Sequence, residues 1–484
     1  MLFKRFIRES MTGQKRHIDI QQPELRTIGE CADELRVDVY VVGGYVRDKL
    51  LGKEVQDIDV LVVGDGIDFA KRAASKFKVD AVTTYKKFGT AMLHINQLKL
   101  EFVGARKESY SKDSRNPKVE AGSLDDDLSR RDFTINTLAA SLNAETWGEV
   151  FDQFHGESDL RAKIIRTPLD PLRTFDDDPL RIMRAVRFAS QLGFSLEKDT
   201  LQAISTMRDR LTIIAQERIT DEFIKILASS APSIGLRLMF DTGVMSIVFP
   251  EVAELSGVDQ RADHHHKDVF LHTCMVVDNI ATMTDDVYLR FAALVHDIAK
   301  PRTKQFREGI GWTFYGHEEL GARMVKHIFK RLKLPFDKIP YVEGLVRLHL
   351  RPMALADEEV TDSAVRRLLF DAGDLTDDLM TLCRADITSK NSKLVKEYTA
   401  NYDLVHSKMK EVEEKDRLRA FQPPVRGDEI MQICNLGPGK LVGTLKSKIE
   451  EAILAGTIPN EHDPALEYLL SIKDAVIQEF QRTP

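Results

Sequence analysis

The stretch GGYVRDKLLGKEVQDIDVLV (43–62) decides the fold of this 484-residue chain. It follows VDVYVV (37–42), and the two together predict a β-branched strand, a glycine turn, a short helix and a second strand. On the second strand Asp57 and Asp59 project from the same face with their Cα atoms about 7 Å apart, because side chains alternate along a strand. Two carboxylates held in this way suit Mg²⁺, which prefers oxygen ligands and shares them with substrate phosphates.

The residues on either side of the aspartates support this interpretation. The apolar run 60–63 marks a strand within a core, which argues against two carboxylates that merely face solvent. Gly43 and Gly44 let the backbone approach a ligand and leave amides free for phosphate oxygens. A glycine pair after a strand is common at any tight turn, so the prediction of a phosphoryl-transfer site rests mainly on the aspartates.

Composition excludes several classes of protein. Sixty-nine basic and 76 acidic residues give a net charge of −7, which argues against indiscriminate nucleic-acid binding but allows a local basic groove for RNA. No apolar run approaches the roughly 20 residues that cross a bilayer, and the start MLFKRFIRES is too charged for a signal peptide. The four cysteines lack a CxxC pair, so we expect no disulfide framework, no membrane partner and a reducing, cytoplasmic location.

The pattern along the chain changes near residue 165, from mixed strands and helices to one helix after another. We therefore predict an α+β fold, with a small mixed β-sheet head followed by an all-helical body. Segment 67–77 predicts a helix and segment 91–105 a hairpin, whereas the polar segment 104–129 predicts a long loop. The predicted division is an extension (1–30), a head (31–165), a helical body (166–255), a second helical unit (256–395) and a helical tail (396–484).

Three motifs in succession carry a family resemblance. Segment 43–62 resembles the head signature of the class II tRNA nucleotidyltransferase and bacterial poly(A) polymerase family, and RRDFTIN (130–136) and DDPLRIMRAVRF (177–188) resemble its next two motifs. The resemblance implies a polymerase-β-like head that adds nucleotides from CTP and ATP to the 3′ end of tRNA. Asp177 stands where the family usually has glutamate, which keeps the charge and shortens its reach.

The resemblance also assigns roles in the head. Asp57 and Asp59 would bind two Mg²⁺ ions, one at the RNA 3′-hydroxyl and one at the triphosphate. Glu101 is either a third carboxylate or a surface glutamate, and the surface interpretation is favoured. The residues implied to contact the ribose and phosphates of the nucleotide are Gly43, Gly44, Arg47, Arg130, Arg131 and Asp132.

The choice of C and A has a simple chemical basis in the third motif. Asp178 and Arg181 lie three apart on a predicted helix and hence on one face. A carboxylate accepts hydrogen bonds and a guanidinium donates them. Cytosine and adenine both present an amine donor beside a ring-nitrogen acceptor, so one such pair could accept both and reject U and G. The resemblance assigns this role to the pair; an ordinary ion pair is the alternative. It also implies that segment 104–129 is a flexible loop that takes part in the change from C to A addition.

The second helical unit contains in succession FLHTCMVVDN (270–279), LVHDIAKP (294–301), YGHEELGA (315–322), LHLRP (348–352) and RADITS (384–389). This succession resembles an HD-superfamily phosphohydrolase domain. Histidine and aspartate ligands from separate helices suit a transition-metal or Mg²⁺ site within a bundle. Burying a His-Asp doublet beside Leu294 and Val295 would be costly without a metal. The tract HHH (264–266) is treated as incidental. The residues that the resemblance assigns to this divalent-metal site are His272, His296, Asp297, His317, His349 and Asp386.

Two alternatives stay open beside CCA addition. A poly(A) polymerase or an A-only-adding enzyme would share the head, but the bacterial poly(A) polymerases lack the HD domain and carry a basic C-terminal extension. An HD phosphohydrolase with an RNA-binding head would have no need of Asp57 and Asp59. The HD domain is either an active phosphatase or phosphodiesterase, on 2′,3′-cyclic ends or small phosphates, or mainly a scaffold with a resident metal, and its intact ligand set favours activity.

Overall fold

The structure is a computed structural model, and its residues form two compact units, Met1–Ala354 with Ala372–Tyr402, and Leu355–Asp371 with Asp403–Pro484. The five-part division predicted from the sequence is finer than this and stays a prediction. The residues that the structure describes are 16–79, 81–86, 89–111, 114–258, 268–357, 361–389, 391–420, 424–454, 457–459 and 461–482.

A mixed β-sheet with helices packed against it forms the N-terminal part of the first unit, called the head below. The strands are β1 (Val39–Val42), β2 (Asp57–Val62), β3 (Thr83–Tyr85), β4 (Thr90–Ile95), β5 (Leu98–Gly104), β6 (Arg106–Ser111), β7 (Ser114–Ala121), β8 (Ala139–Ser141) and β9 (Val150–Phe151). The helices are α1 (Pro23–Leu35), α2 (Gly44–Leu50), α3 (Gly66–Phe77), α4 (Leu124–Ser129) and α5 (Gly156–Ala162).

The main sheet has the strand order β3-β4-β5-β2-β1-β8-β9. Its β2–β5 pair is parallel, and its other pairs are antiparallel. Strand β1 is buried throughout, whereas β2 begins with two exposed positions separated by a buried one. Helix α3 packs closely on β5, because a Cβ at Gly66 would lie 2.6 Å from the backbone nitrogen of Gly104. The small mixed sheet, the helix over 67–77 and the hairpin over 91–105 are confirmed.

The segment 104–129 is not a long loop, and that prediction was wrong. Strands β6 and β7 pair antiparallel across it, with Arg106 opposite Ala121. Helix α4 then begins at a capping box, in which the side chain of Ser123 accepts from the backbone of Asp126 and the Asp126 carboxylate accepts from the backbone of Ser123. The polar composition misled the prediction because the two strands form a separate two-stranded ribbon outside the main sheet.

The helical body follows the head within the same unit. A two-stranded parallel ribbon, β10 (Ile164–Ile165) with β11 (Ser195–Leu196), lies at its start. Its helices are α6 (Pro171–Asp177), α7 (Leu180–Leu192), α8 (Lys198–Met207), α9 (Gln216–Leu227), α10 (Pro232–Asp241), α11 (Val244–Val248) and α12 (Pro250–Ala253).

A second set of helices packs against the body. They are α13 (Val269–Ala281), α14 (Val287–Val295), α15 (Lys300–Thr303), α16 (His317–Leu332), α17 (Ile339–Leu348) and α20 (Thr376–Ala385), with the hairpin β12 (Gln305–Arg307) and β13 (Gly311–Thr313). Between α17 and α20 in the sequence lie α18 (Arg351–Asp357) and α19 (Asp362–Ala372). Arg290 of α14 joins the two sets, because its buried guanidinium donates to the carbonyls of Leu227 and Ser229 at 3.0 and 2.9 Å. The tract 264–266 lies outside the described residues.

The C-terminal helices are α21 (Ser392–Ala420), α22 (Gly427–Cys434), α23 (Lys440–Leu454) and α24 (His462–Arg482). The second unit has a hydrophobic core of its own, which includes Val425, Ile430, Leu445, Ile449 and Leu469. Among the described residues, no helix has both the length and the apolar character required to cross a bilayer.

Candidate active site

The two aspartates of β2 lie where the sequence predicts, on the same face of the strand. The intervening Ile58 is buried, and the Asp57 side chain is 80% exposed, with Lys99 Nζ 3.6 Å from its Oδ1 atom. Glu101 of β5 is the register partner of Asp59, so the two carboxylates belong to adjacent strands at the same level of the sheet. The side chain of Glu101 is half-buried and lines the same cavity as Asp59, which favours a third carboxylate over a surface glutamate.

That cavity has a volume of about 260 Å³ and combines carboxylates with guanidinium groups. Burial raises the pKa of Glu101 above its ordinary value, and the neighbouring Asp59 raises it further. Burial is also the main reason that the pKa of Asp59 is raised, while Arg131 and Lys99 oppose the rise. The residues that line the cavity are Val42, Asp59, Val60, Thr90, Glu101, Val103, Arg106, Arg130 and Arg131.

The two arginines of the second motif are held at this cavity by one buried carboxylate. Asp127 of α4 is fully buried and accepts from Nε of Arg130 at 2.9 Å and from Nη2 of Arg131 at 3.0 Å. Arg131 also lies against the glycine turn, since a Cβ on Gly43, where φ is 66°, would lie 2.9 Å from its Nη1 atom. The turn and the two cations therefore form one side of the cavity.

Asp132 and Arg47 belong to a buried network beside the cavity. Asp132 accepts from Nε of Arg184 at 2.7 Å and from the Asn136 side chain at 2.9 Å. Burial alone would raise the pKa of Asp132, but Arg184 and Asn136 lower it below its ordinary value. Arg47 donates to Asn136 Oδ1 at 2.7 Å and to the carboxylate of Asp48. Both residues are less than a tenth exposed, and their side chains bind internal partners.

Asp178 and Arg181 do not share a helix, so the expected one-face geometry was wrong. Asp178 lies between α6 and α7 with an extended backbone, φ −143° and ψ 99°. The reason is Pro179, since a proline disfavours helical backbone in the residue before it. The guanidinium of Arg181 donates to the carbonyls of Thr174 at 3.2 Å and Arg130 at 2.6 Å instead of to the Asp178 carboxylate.

The carboxylate of Asp178 has other neighbours. Its Oδ1 atom accepts from the backbone of Leu180 at 3.2 Å, and its Oδ2 atom lies 3.4 Å from Nη2 of Arg218. Among the described residues, Asp178 and Arg181 therefore do not form the ordinary i,i+3 ion pair with each other. Arg181, through the carbonyl of Arg130, connects the third motif to the wall of the head cavity.

The six residues assigned to the HD site come together, although more than 100 positions separate the first from the last. The ligand atoms of His272, His296 and Asp386 lie within 4.8 Å of one another, and so do those of Asp297, His317 and His349. Asp297 connects the two groups, because its carboxylate oxygens lie 3.2 Å from Nε2 of both His296 and His317. We call these six residues the HD cluster.

The hydrogen bonds of the histidines leave one nitrogen of each ring directed at the centre of the cluster. The Nδ1 atoms of His296, His317 and His349 lie 2.8, 2.7 and 2.7 Å from the carbonyls of Ala293, Phe314 and Val346. A carbonyl only accepts, so each Nδ1 carries the proton and donates it. Each Nε2 then carries a lone pair, and these three buried atoms have no hydrogen-bond partner among the described residues.

A divalent metal fits this donor set. Lone pairs of buried imidazoles that face carboxylate oxygens repel one another unless a cation lies between them, and metal-bound histidines usually donate their other N–H to a carbonyl or carboxylate. Burial lowers the pKa of His296, but without a metal the carboxylates of Asp297 and Asp386 raise it to about 10, so that a proton would occupy the Nε2 lone pair that a metal otherwise takes. Burial lowers the pKa of His349 to about 3.

Comparison with known proteins identifies the family. Family models match in succession the poly A polymerase head domain at residues 39–166, the probable RNA and SrmB-binding site of polymerase A at 193–255 and the HD domain at 269–391. A multifunctional CCA protein of Xanthomonas campestris pv. campestris (strain B100) is 35% identical over 363 residues, covering 72% of this chain and 84% of that protein. The chain belongs to the CCA-adding tRNA nucleotidyltransferase family.

Other tRNA nucleotidyltransferases match over different lengths. An A-adding tRNA nucleotidyltransferase of Aquifex aeolicus (strain VF5) is 51% identical over 161 residues, which are 33% of this chain and only 19% of that protein. The chain therefore spans less than a fifth of that relative. A crystal structure of a tRNA nucleotidyltransferase with a primer tRNA and an incoming ATP analog aligns with a TM-score of 0.58 and 26% identity, over 78% of this chain and 98% of that one.

The sequence alone does not single out Asp127 or Arg184, and it leaves the role of Glu101 open. Asp127 lies three and four positions before Arg130 and Arg131, and the i,i+3 and i,i+4 spacing in a helix could have indicated the contact. Glu101 could be placed only once β5 was known to pair with β2 in parallel register. Nothing in the sequence indicates that Arg184, from the third motif, pairs with Asp132 of the second.

Proposed function

We propose that this chain adds nucleotides to the 3′ end of tRNA without a nucleic-acid template, and that it completes CCA from CTP and ATP. The head cavity carries this proposal, because Asp59 and Glu101 share it with Arg130 and Arg131. Carboxylates for a metal beside cations for a triphosphate are the parts that phosphoryl transfer requires, since catalysis there depends on positioning and on neutralising charge.

Mg²⁺ fits the carboxylate side of the cavity. Burial raises the pKa of both Asp59 and Glu101, and a neighbouring carboxylate raises each further, Asp57 that of Asp59 and Asp59 that of Glu101. A bound cation would relieve that repulsion. Asp57 and Asp59 would hold it, with Glu101 as a third oxygen ligand. When bound, Mg²⁺ supplies Lewis-acid activation of the terminal 3′-hydroxyl and neutralises charge on the triphosphate.

The protein's own groups orient the nucleotide. Arg130 and Arg131 would contact its phosphates, and Asp127 keeps both guanidinium groups at the cavity. Gly43 leaves room for Arg131 against the turn. In this arrangement Asp132 and Arg47 act through the buried network that supports the cavity wall, in addition to the nucleotide contacts that the family resemblance implies.

The base-reading role of Asp178 and Arg181 takes a different form from the one expected for a single helix face. Two backbone carbonyls fix the guanidinium of Arg181, so its orientation is set before a base arrives. Asp178 keeps an acceptor oxygen at the break between α6 and α7. We propose that these two side chains read the amine and ring nitrogen of C or A, and that Arg218 positions the carboxylate.

The test uses tRNA transcripts that lack the last three, two or one nucleotides, each incubated with one labelled nucleotide at a time. CCA addition predicts C on the first two transcripts and a single A on the third. An A-only enzyme, the alternative favoured by the 51% identity to the Aquifex aeolicus relative, predicts labelling of the third transcript alone. A poly(A) polymerase predicts a long A tail, and no labelling of any transcript would contradict the proposal.

A second activity is proposed for the HD cluster, a metal-dependent phosphatase or phosphodiesterase acting on small phosphates or 2′,3′-cyclic ends. The unpartnered Nε2 atoms of His296, His317 and His349 favour it. The HD cluster would hold the divalent metal, which when bound supplies an activated water and polarises the phosphate. Lys300, whose Nζ donates to Asp297 at 2.6 Å, keeps a positive charge beside the cluster.

The matching experiment measures hydrolysis of a 2′,3′-cyclic nucleotide and of a 3′-phosphorylated RNA. A His296→Ala/Asp297→Ala double variant is expected to lose hydrolysis and to retain nucleotide addition. Hydrolysis at the wild-type rate by the double variant would refute the activity. Loss of both activities together, with normal folding, would contradict the assignment of the two reactions to separate sites.

A further inference from the structure

The hairpin β12–β13 exposes an unusual density of large apolar side chains. Phe306 is 64% exposed, Ile310 66%, Trp312 43% and Tyr315 65%. They fall within residues 306–315, beside the HD cluster in sequence. Large apolar side chains that stay in water at such density mark a binding surface more often than a structural one.

The aromatic rings lie close together, and two of them have a basic side chain near their ring centroid. Phe306 and Trp312 are cross-strand partners, and their ring centroids are 5.4 Å apart in an edge-to-face arrangement. Lys304 Nζ lies 4.7 Å from the Trp312 ring centroid, and Arg307 Cζ lies 4.7 Å from that of Tyr315. We call these five residues together with Ile310 the aromatic hairpin surface.

The charge of this region is opposite to that of the chain. Residues 300–315 contain four basic residues (Lys300, Arg302, Lys304 and Arg307) and one acidic residue (Glu308), whereas the whole chain carries −7. Neither Lys304 nor Arg307 forms an ion pair with another described residue, so both remain available to an anionic ligand. Aromatic rings interleaved with cations are the combination that binds single-stranded nucleic acid, since bases stack on the rings and phosphates contact the cations.

The surface is continuous with the HD cluster. Residue Phe314, which directly follows β13, accepts through its carbonyl from His317 Nδ1 at 2.7 Å. Lys300, which precedes β12, donates to Asp297 at 2.6 Å and lies 5.7 Å from the Phe314 ring centroid. Both ends of the hairpin thus connect to ligands of the proposed metal site.

We propose that the aromatic hairpin surface binds the single-stranded 3′ end of an RNA beside the HD cluster. The bases stack on Phe306, Trp312 and Tyr315, and the phosphates contact Lys304 and Arg307. The binding of single-stranded RNA follows from the surface alone. The assignment of a tRNA 3′ end as the natural source, and its delivery to the HD cluster, rests on the proposed function.

Trp312 offers a local probe, because the chain contains only two tryptophans. The other, Trp147, lies in the head with the Arg26 guanidinium 4.6 Å from its ring centroid. In a Trp147→Phe variant, the remaining fluorescence reports on the hairpin. A short single-stranded oligoadenylate is expected to quench it saturably, and an RNA duplex of the same length is expected to quench it less. No quenching, or equal quenching by the duplex, overturns the proposal.

A second experiment replaces one exposed ring with alanine and leaves Trp147 in place. Phe306→Ala is expected to weaken oligoadenylate binding about tenfold, the typical effect of removing one stacking ring. Phe336→Ala is the matched control, since Phe336 is also 64% exposed but lies away from the hairpin sequence. The readout is the difference in fluorescence between each protein and its Trp312→Phe counterpart, which isolates the emission of Trp312 from that of Trp147. An equal effect of the two alanine variants overturns the proposal.

The proposed function is tested separately in the same variants. Nucleotide addition to tRNA by Phe306→Ala is expected to remain at the wild-type rate, because the hairpin is not part of the head cavity. Hydrolysis of a 3′-phosphorylated RNA is expected to fall through a higher KM, with hydrolysis of a mononucleotide unchanged. A loss of mononucleotide hydrolysis would overturn the binding role and indicate a structural one.

Discussion

Asp127 gives a prediction whose size can be worked out from the structure. The carboxylate is fully buried and contacts the guanidinium groups of Arg130 and Arg131, whose side chains are 20% and 19% exposed. In Asp127→Asn the side chain keeps its shape and loses its charge, and its amide NH₂ group points towards one of the guanidinium groups. Breaking a buried ion pair costs about 3–5 kcal/mol. Because water reaches both arginines, we expect the lower end, about 3 kcal/mol of unfolding free energy.

The kinetic consequence follows from the same contacts. Without Asp127 the two arginines leave the cavity side of the head, and we expect KM for the nucleoside triphosphate to rise about tenfold, which is about 1.4 kcal/mol of binding. Denaturant unfolding and initial-rate kinetics measure the two effects. Asp125→Asn is the matched control, since Asp125 lies on the same helix and is exposed. If the two variants behave alike in stability and in KM, the reasoning about Asp127 is wrong.

Three further predictions concern base choice, the buried network and the metal. Arg181→Ala is expected to fold normally and to lose the preference for CTP and ATP over UTP and GTP, and unchanged selectivity would refute its base-reading role. Asp132→Asn is expected to lower the unfolding free energy by about 2–3 kcal/mol, because a buried hydrogen bond to a charged group is lost. Folding lowers the pKa of Asp132, so its ionised carboxylate stabilises the folded state at pH values above its unfolded pKa. The difference in unfolding free energy between Asp132→Asn and the wild type should therefore narrow as the pH falls below about 5. Adding a divalent metal to chelated protein should raise the unfolding temperature of the wild type more than that of His296→Ala/Asp297→Ala, which keeps the metal ligands of the head and loses those of the HD cluster; an equal rise in both would contradict metal binding by the HD cluster.

The sequence predicted most where local patterns decide the structure. Alternation along a strand placed Asp57 and Asp59 on one face, and apolar spacing predicted the helices. The HD ligands were collected through family resemblance, because nothing in their spacing brings together residues from different helices.

Most of the failures concern pairing between two segments, which neither segment reveals by itself. The strands β6 and β7 satisfy each other's backbone groups, so a polar stretch that reads as a loop forms a ribbon. The pairing of Glu101 with Asp59 depends on strand register, and that of Arg184 with Asp132 on how α7 packs against the head. The break at Asp178 was the exception, since Pro179 indicates it in the sequence itself.

The most direct test of the account is nucleotide addition by an Asp57→Asn/Asp59→Asn double variant. The assay supplies tRNA lacking its CCA end with labelled CTP and ATP, and it measures hydrolysis of a 2′,3′-cyclic nucleotide in the same preparation. We expect the variant to add no nucleotide, to hydrolyse at the wild-type rate and to unfold at the wild-type temperature. Addition at a rate close to that of the wild type would contradict the central claim that these two carboxylates carry the transfer reaction.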